Sequence, residues 1–309
     1  MRIVLIGAGL AAQRCAETLR QLGHDGPIAM YGDELPYDRP PLSKDFLKGE
    51  RPDVRFKPDR WYRDNDVDFR PQRITSLDGL QYDRALIATG AEPITLDAFP
   101  HAHTLRTRED AIALDEALTR TRHLAIIGAG LIGQEVASAA RAREIRTTLV
   151  DLHPHPFDAL MGPGGGDHLR RLHEDHGVEV RLGPNTGPLD ADTVLVAVGV
   201  RPAWKPDPAP DVHFAGDVTG SAHWEAAAVS GQNAARRMLG LQPKPEQPPL
   251  VWSDQYGVRI QRVGDPRGAR QIKVPGTFRY EREGRLAAVV LLDEPHRVRE
   301  ARRDLKEAA

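Results

Sequence analysis

One pattern, met twice, limits this chain more than any other. "RIVLIGAGLAAQRCAETLRQLG" (residues 2–23) opens with a β-rich apolar run. It continues with apolar residues at Leu10, Cys15, Leu19 and Leu22, a helical spacing. Between the two lies Gly7-x-Gly9-x-x-Ala12. Gly7 permits a tight strand-to-helix turn, Gly9 lets a pyrophosphate approach the backbone, and small Ala12 lets helix and strand pack closely. The phosphate then sits at the positive end of the helix. A second strand, "PIAMYGDE", follows with acids suited to a ribose hydroxyl. "HLAIIGAGLIGQEVASAARAREIRTTLVD" repeats the whole device, with Gly128-x-Gly130-x-x-Gly133 and Asp151 at its end. Asp33 stands 26 residues (33 − 7) after the first glycine, and Asp151 stands 23 (151 − 128) after its counterpart. Both fit the dinucleotide fingerprint. One glycine-rich turn is weak evidence; two in context predict a chain that binds two dinucleotides.

Two further segments, "RALIATG" (84–90) and "TVLVAVG" (193–199), read as buried parallel strands stopped by glycine. A shorter one, "VHFAGD" (212–217), delivers Asp217 at its end and precedes a helix, "WEAAAVSGQNAARRMLG". The fold class expected is α/β.

With 309 residues the chain has room for two or three domains. Forty per cent hydrophobic residues and a net charge of −2 describe an ordinary globular protein, with nothing that asks for nucleic acid or membrane as the main partner. The many arginines read as coding bias. One cysteine, Cys15, excludes an intrachain disulfide, a Cys-x-x-Cys redox pair and a cysteine zinc site, and its helical position marks it as core. The opening "MRIVLIGAGLAA" is too short and too interrupted by glycine for a signal peptide. No segment approaches the roughly 20 apolar residues that cross a bilayer. The cytoplasm is the default expectation.

"ELPYDRPPLSK" (34–44) is polar and proline-rich. Pro36, Pro40 and Pro41 fix their own φ and push the residues before them away from helix, so the stretch reads as a stiff, non-helical arm ending in Lys44.

At these residues the chain resembles a known family. Two fingerprints, an "ATG" after a strand and a late "AGD" are similar to flavoprotein reductases in which an NAD(P) domain interrupts an FAD domain. "PYDRPPLSK" and "VWSDQYG" (251–257) narrow the resemblance to ferredoxin reductases that serve Rieske oxygenases and cytochromes P450. The resemblance implies an FAD domain over 1–110 and 208–244, an NAD domain over 111–207 and a small α+β C-terminal domain over 245–309. For FAD it implies Gly7, Gly9 and Ala11 at the pyrophosphate with Ala12 in the same cofactor-binding turn, Asp33 or Glu34 at the ribose, and Arg39 and Lys44 flanking the cofactor. It further implies Ile74 on the adenine side, Ala88, Thr89 and Gly90 by backbone, Arg106 at the flavin edge, Asp217 at the ribityl chain and Trp224 beside the pyrimidine ring. Gly128, Gly130, Gly133 and Asp151 would hold NADH, with Glu135 near the nicotinamide. Some have an ordinary alternative: Asp33 a turn acid, Arg106 a solvated helix-start charge, Trp224 core packing and Lys44 a surface lysine at a loop's end; Trp252 equally reads as packing.

The chain departs from the family pattern by brevity. "TSLDGLQYD" leaves no room for the usual three-stranded excursion, the NAD half looks similarly pared, and the C-terminal part is short. Three functions remain open: passing electrons singly from NADH through FAD to a [2Fe-2S] ferredoxin, reducing oxygen or a small molecule, or sensing NADH without turnover as a redox interaction protein. Three expectations are specific. Asp151 favours NADH by repelling a 2′-phosphate. The basic "HRVREARRDLKEAA" reads as a helix that could steer an acidic ferredoxin, with an exposed structural helix as the alternative. Lys44 and Glu135 form an ion pair at the hydride-transfer site, Glu135 lying two residues past Gly133 in the second helix.

Overall fold

The computed structural model describes residues 1–184, 186–220, 223–274 and 277–308. The first elements are β1 (Ile3–Ile6), α1 (Leu10–Gln21), β2 (Ile28–Gly32), α2 (Asp59–Asp64), β3 (Val67–Pro71), β4 (Arg84–Ile87) and β5 (Ala91–Pro93). There follow α3 (Arg108–Leu118), β6 (His123–Ile127), α4 (Leu131–Ala142), β7 (Arg146–Asp151), α5 (Asp158–Met161), α6 (Gly166–Asp175), β8 (Val178–Leu182) and β9 (Thr193–Val196). The chain continues through β10 (Val200–Pro202), β11 (Val212–Phe214) and α7 (Trp224–Met238). It closes with β12 (Leu250–Gln255), β13 (Val258–Gly264), β14 (Arg270–Val274), β15 (Thr277–Arg282), β16 (Arg285–Leu292) and α8 (Val298–Glu307).

Two compact units share these elements. The first comprises residues 1–38, 53–92 and 200–246. Its parallel sheet runs β11-β4-β1-β2-β3. β1, "IVLI", is buried along its whole length because both sheet faces are covered. On one face α1 and α7 seal Ile3, Leu5 and Met30. The two helices approach closely because Gly231 in α7 has no Cβ; one built there would lie 2.2 Å from the Ala11 carbonyl oxygen. Cys15 lies wholly inside this layer, and burial pushes its thiol far up. The other face packs Val4, Ile6 and Tyr31 beneath Ile74, Leu77 and Leu80. The short stretch between β3 and β4 thus covers this face without adding a strand.

The second unit comprises residues 39–52, 93–199 and 247–309. It holds a parallel sheet, β8-β7-β6-β9, and a separate antiparallel sheet, β12-β13-β16-β15-β14. α8 lays Ala301 and Leu305 on Val263, Val289 and Leu291 of the antiparallel sheet. The mixed α/β architecture, two parallel sheets plus an α+β tail, is the one expected. No described helix is long and apolar enough to cross a membrane.

Candidate functional site

In the first unit, β1 ends where Gly7 turns the chain at φ +106°, with its N–H donating to the Tyr31 carbonyl at 2.8 Å. A Cβ here would sit 2.1 Å from the Ala88 carbonyl oxygen, so only glycine fits. α1 starts after Gly9, and no side chain caps its first N–H groups. Ala11 and Ala12 are buried in its first turn. Asp33 is exposed and ion-paired to Arg73 Nη2 at 2.5 Å, a surface pair of little strength. Glu34, next to it, is half-buried. Ile74 packs on the sheet. Ala88 donates to the Ile6 carbonyl at 2.7 Å, the Thr89 hydroxyl donates to the Trp204 carbonyl at 2.7 Å, and Gly90 turns at φ +81°. Asp217 opens a 3₁₀ turn that follows β11 after Ala215 and Gly216. Trp224 begins α7, and its indole N–H donates to Asp38 Oδ1 at 2.8 Å, so its ring is held rather than merely packed.

The second unit builds the device again. Gly128 turns at φ +105°, and a Cβ there would lie 2.4 Å from the Ala197 carbonyl oxygen. One at Gly133 would lie 2.0 Å from the Gly128 carbonyl oxygen, which explains the close helix. Gly130 differs: a Cβ there would meet only Ala197 O, at 4.0 Å. The protein itself does not require that glycine; a ligand approaching the backbone would. α4 likewise starts without a side-chain cap. The Asp151 carboxylate turns back on the loop, accepting from Ala129 N and from His153 N, both at 2.8 Å. Two of its roughly four lone-pair directions stay available for hydroxyls. Arg106 is half-buried in the segment leading into α3, and its N–H donates to Asp110 Oδ2 at 2.8 Å, beside the capping box of Thr107 and Asp110.

The expected ion pair is present. Lys44 Nζ stands 2.8 Å from Glu135 Oε2, with both side chains less than a tenth exposed. Lys44 also donates to the Pro40 carbonyl at 3.2 Å. Half-buried Arg39 precedes this segment. The arm departs from expectation in one respect: Pro40–Ser43 is a turn of 3₁₀ helix. Proline is excluded from helix interiors, yet it suits a first turn, where its missing N–H has no partner to lose. That turn brings Ser43 and Lys44 to the same carboxylate. Ser43 Oγ donates to Glu135 Oε2, and Ser253 Oγ from β12 donates to Oε1 at 2.6 Å.

Ser43, Ser253, Gln134 and Gln255 were not singled out from the sequence. β12 buries alternate residues, Val251, Ser253 and Gln255, while Trp252 and Asp254 lie partly open. The available signal was parity: two polar residues share a face with a valine, and a strand face with one buried member buries the others. Beyond them on α6, His173 is fully buried and its Nδ1 lies 2.7 Å from the Tyr256 hydroxyl. Burial drops its imidazole from the ordinary range to about 4, against an opposing interaction with Gln255.

Two glycine loops, each opening a helix with uncapped N–H groups, fit two bound dinucleotides and define a dinucleotide-dependent oxidoreductase. Residues 1–207 match the pyridine nucleotide-disulphide oxidoreductase family, and 250–309 match the reductase C-terminal family. The chain belongs to the pyridine nucleotide-disulphide oxidoreductases. It is 31% identical, over 84% of its length and 81% of the relative's, to the ferredoxin–NAD(+) reductase component of the anthranilate 1,2-dioxygenase system of Burkholderia cepacia. It is 29% identical, over 99% of its length and 93% of the relative's, to the ferredoxin–NAD(+) reductase component of the p-cumate 2,3-dioxygenase system of Pseudomonas putida. Among solved structures it superposes with a TM-score of 0.84 and 26% identity on the ferredoxin reductase for the CYP199A2 system of Rhodopseudomonas palustris, covering 94% of this chain and 91% of that one.

Proposed function

We infer that this chain is an NADH-dependent flavoprotein that delivers electrons to a [2Fe-2S] ferredoxin serving an oxygenase or P450. The observation that carries the reading is the buried Lys44–Glu135 pair, placed at the start of the helix that follows the second glycine loop. Bound FAD accepts a hydride from NADH and releases electrons one at a time, which is the chemistry a one-electron acceptor needs. The chain's own residues bind and orient. Gly7, Gly9, Ala11 and Ala12 with Asp33, Glu34, Arg39, Ile74, Ala88, Thr89, Gly90, Arg106, Asp217 and Trp224 are proposed for FAD, and Gly128, Gly130, Gly133 and Asp151 for NADH. Lys44 supplies a fixed positive charge where negative charge arrives, and Glu135 holds the ammonium in place. In domain terms, residues 1–110 with 208–244 would serve FAD, 111–207 NADH, and 245–309 the partner side.

The exposed basic residues of α8, Arg299, Arg303 and Lys306, favour an acidic protein partner. We place the protein in the cytoplasm, where NADH is abundant. An anaerobic panel of acceptors tests the function: ferredoxin should be reduced at the expense of NADH far faster than oxygen is consumed in air. Oxygen consumption that outpaces ferredoxin reduction would make the chain an oxidase instead. A flavin that NADH bleaches but no acceptor discharges would make it a sensor.

A further inference from the structure

The inner face of β12 carries two polar side chains, Ser253 and Gln255, for which the reading above has no use. Gln255 Nε2 has two N–H groups, and both find acceptors: Ser253 Oγ at 2.9 Å and Gln134 Oε1 at 3.1 Å. The Ser253 hydroxyl in turn donates to Glu135 Oε1 at 2.6 Å. Gln134 Nε2 donates to the Ala129 carbonyl at 2.7 Å. The direction of this chain is fixed, because turning the Gln255 amide over would set its oxygen against Gln134 Oε1. It runs unbroken from the second glycine loop, through β12, to Glu135 and Lys44. Ser253, Gln255, Gln134 and Glu135 are 0, 1, 1 and 4% exposed. Gln255 Oε1 is buried without a hydrogen-bond partner, while the links to Ser253, Gln134 and Glu135 are all made, and paired groups this deep fix a single arrangement.

We propose that Ser253 and Gln255 are positioning residues for the hydride step, through which the C-terminal sheet locks Glu135, and with it Lys44, against the glycine loop at Ala129. The proposal rests on the reading of Lys44 and Glu135 as the pair that serves this step. With Ser43 and Lys44 on Oε2 and Ser253 on Oε1, the carboxylate has one orientation. Without the Ser253 hydroxyl, Oε1 loses its donor and the carboxylate gains freedom to rotate. An ammonium that shifts with it stabilises arriving charge less well, since such stabilisation depends on placement fixed beforehand.

Stopped-flow reduction of the FAD-loaded protein by NADH reads the effect. Ser253→Ala should lower the limiting rate about three- to tenfold, the scale of one net hydrogen bond. The NADH dissociation constant should stay within about twofold, because the binding loop is intact. Ser253→Thr should restore most of the rate. Gln255→Met, close in volume, should show the same split with a smaller loss of about two- to fivefold. Thermal unfolding supplies a readout independent of turnover: Ser253→Ala should lower Tm in the native background and less so beside Glu135→Gln, because their shared bond is already weakened. A slow Glu135→Gln with a Ser253→Ala at the native rate would overturn the positioning role alone. A Glu135→Gln at the native rate would overturn the parent reading and this proposal together. Equal Tm losses in both backgrounds would show that the Ser253–Glu135 contact does not couple them.

Discussion

Gly7–Arg14 and Gly128–Glu135 coincide residue for residue through much of their length: Gly-Ala-Gly-Leu opens each, and a buried glutamine, Gln13 or Gln134, stands next to last. Then the charge inverts. Arg14 turns to Glu17 at 2.7 Å and stands 6.0 Å from the rings of Phe56 and Trp224, so the first helix is closed off by its own unit. Glu135, in the equivalent place, turns to Lys44 and two serines. The acids after the next strand differ too. Asp33 leans outward to Arg73, whereas Asp151 folds back onto its own loop. One backbone device is thus set in two different charge environments.

The largest expected effect tests what the loops share. Gly7→Ala forces a side chain at positive φ onto a backbone oxygen, and should cost more than about 2 kcal/mol of stability and most of the yellow, FAD-loaded protein. Urea midpoints and flavin content measure it. Gly130→Ala is the contrast: ordinary stability, with NADH binding weakened about tenfold or more, because no protein atom crowds a Cβ there and a pyrophosphate against the backbone would. Equal damage at both positions would erase the distinction between steric and ligand demand.

Lys44→Met tests where the loops diverge. It should keep FAD bound and slow flavin bleaching by NADH by roughly tenfold to a thousandfold, the loss of one preorganised charge. Bleaching at the native rate would leave the arm purely structural. A third test uses acid. His173 is neutral in the fold because burial depresses it from 6.5 to about 4. The unfolded chain takes up that proton first as pH falls, so this contribution is complete above about 6.5 and is lost towards 4, at up to about 3 kcal/mol. Thermal melts between pH 7 and 4.5 should therefore slope less steeply in His173→Phe. Parallel slopes would discount the histidine.

How much of this was legible follows from the kind of force involved. The glycine loops could be read because steric demand is local: Gly7 and Gly128 answer to backbone a few ångströms away. The Lys44–Glu135 pair could be read from a stiff arm and a helix start together with the family resemblance, which sets both residues near the reacting rings. The Asp33–Arg73 pair could not, since an exposed arginine 40 residues away leaves no pattern. Ser253 and Gln255 left only the weak signal of sharing a strand face with Val251: polar residues on a strand normally face water, and the packing of β12 on α4 reverses that.

The smallest expected effect bears on the acids. Asp151→Asn should narrow the preference for NADH over NADPH by about tenfold, the worth of removing one repulsion that solvent partly screens. Asp33→Asn should leave it unchanged. Ratios of kcat/KM for the two nucleotides decide between them.

The chain's one thiol is sealed at zero exposure in the α1 layer and held protonated by its surroundings. A thiol needs both access and its anionic form to react with an alkylating reagent, and Cys15 has neither. The native protein is therefore already a blank for site-directed conjugation. A single cysteine placed on the outer face of α8 would take a dye, a spin label or an electrode linker there alone, and the distance to an electron acceptor would become something an experimenter can set.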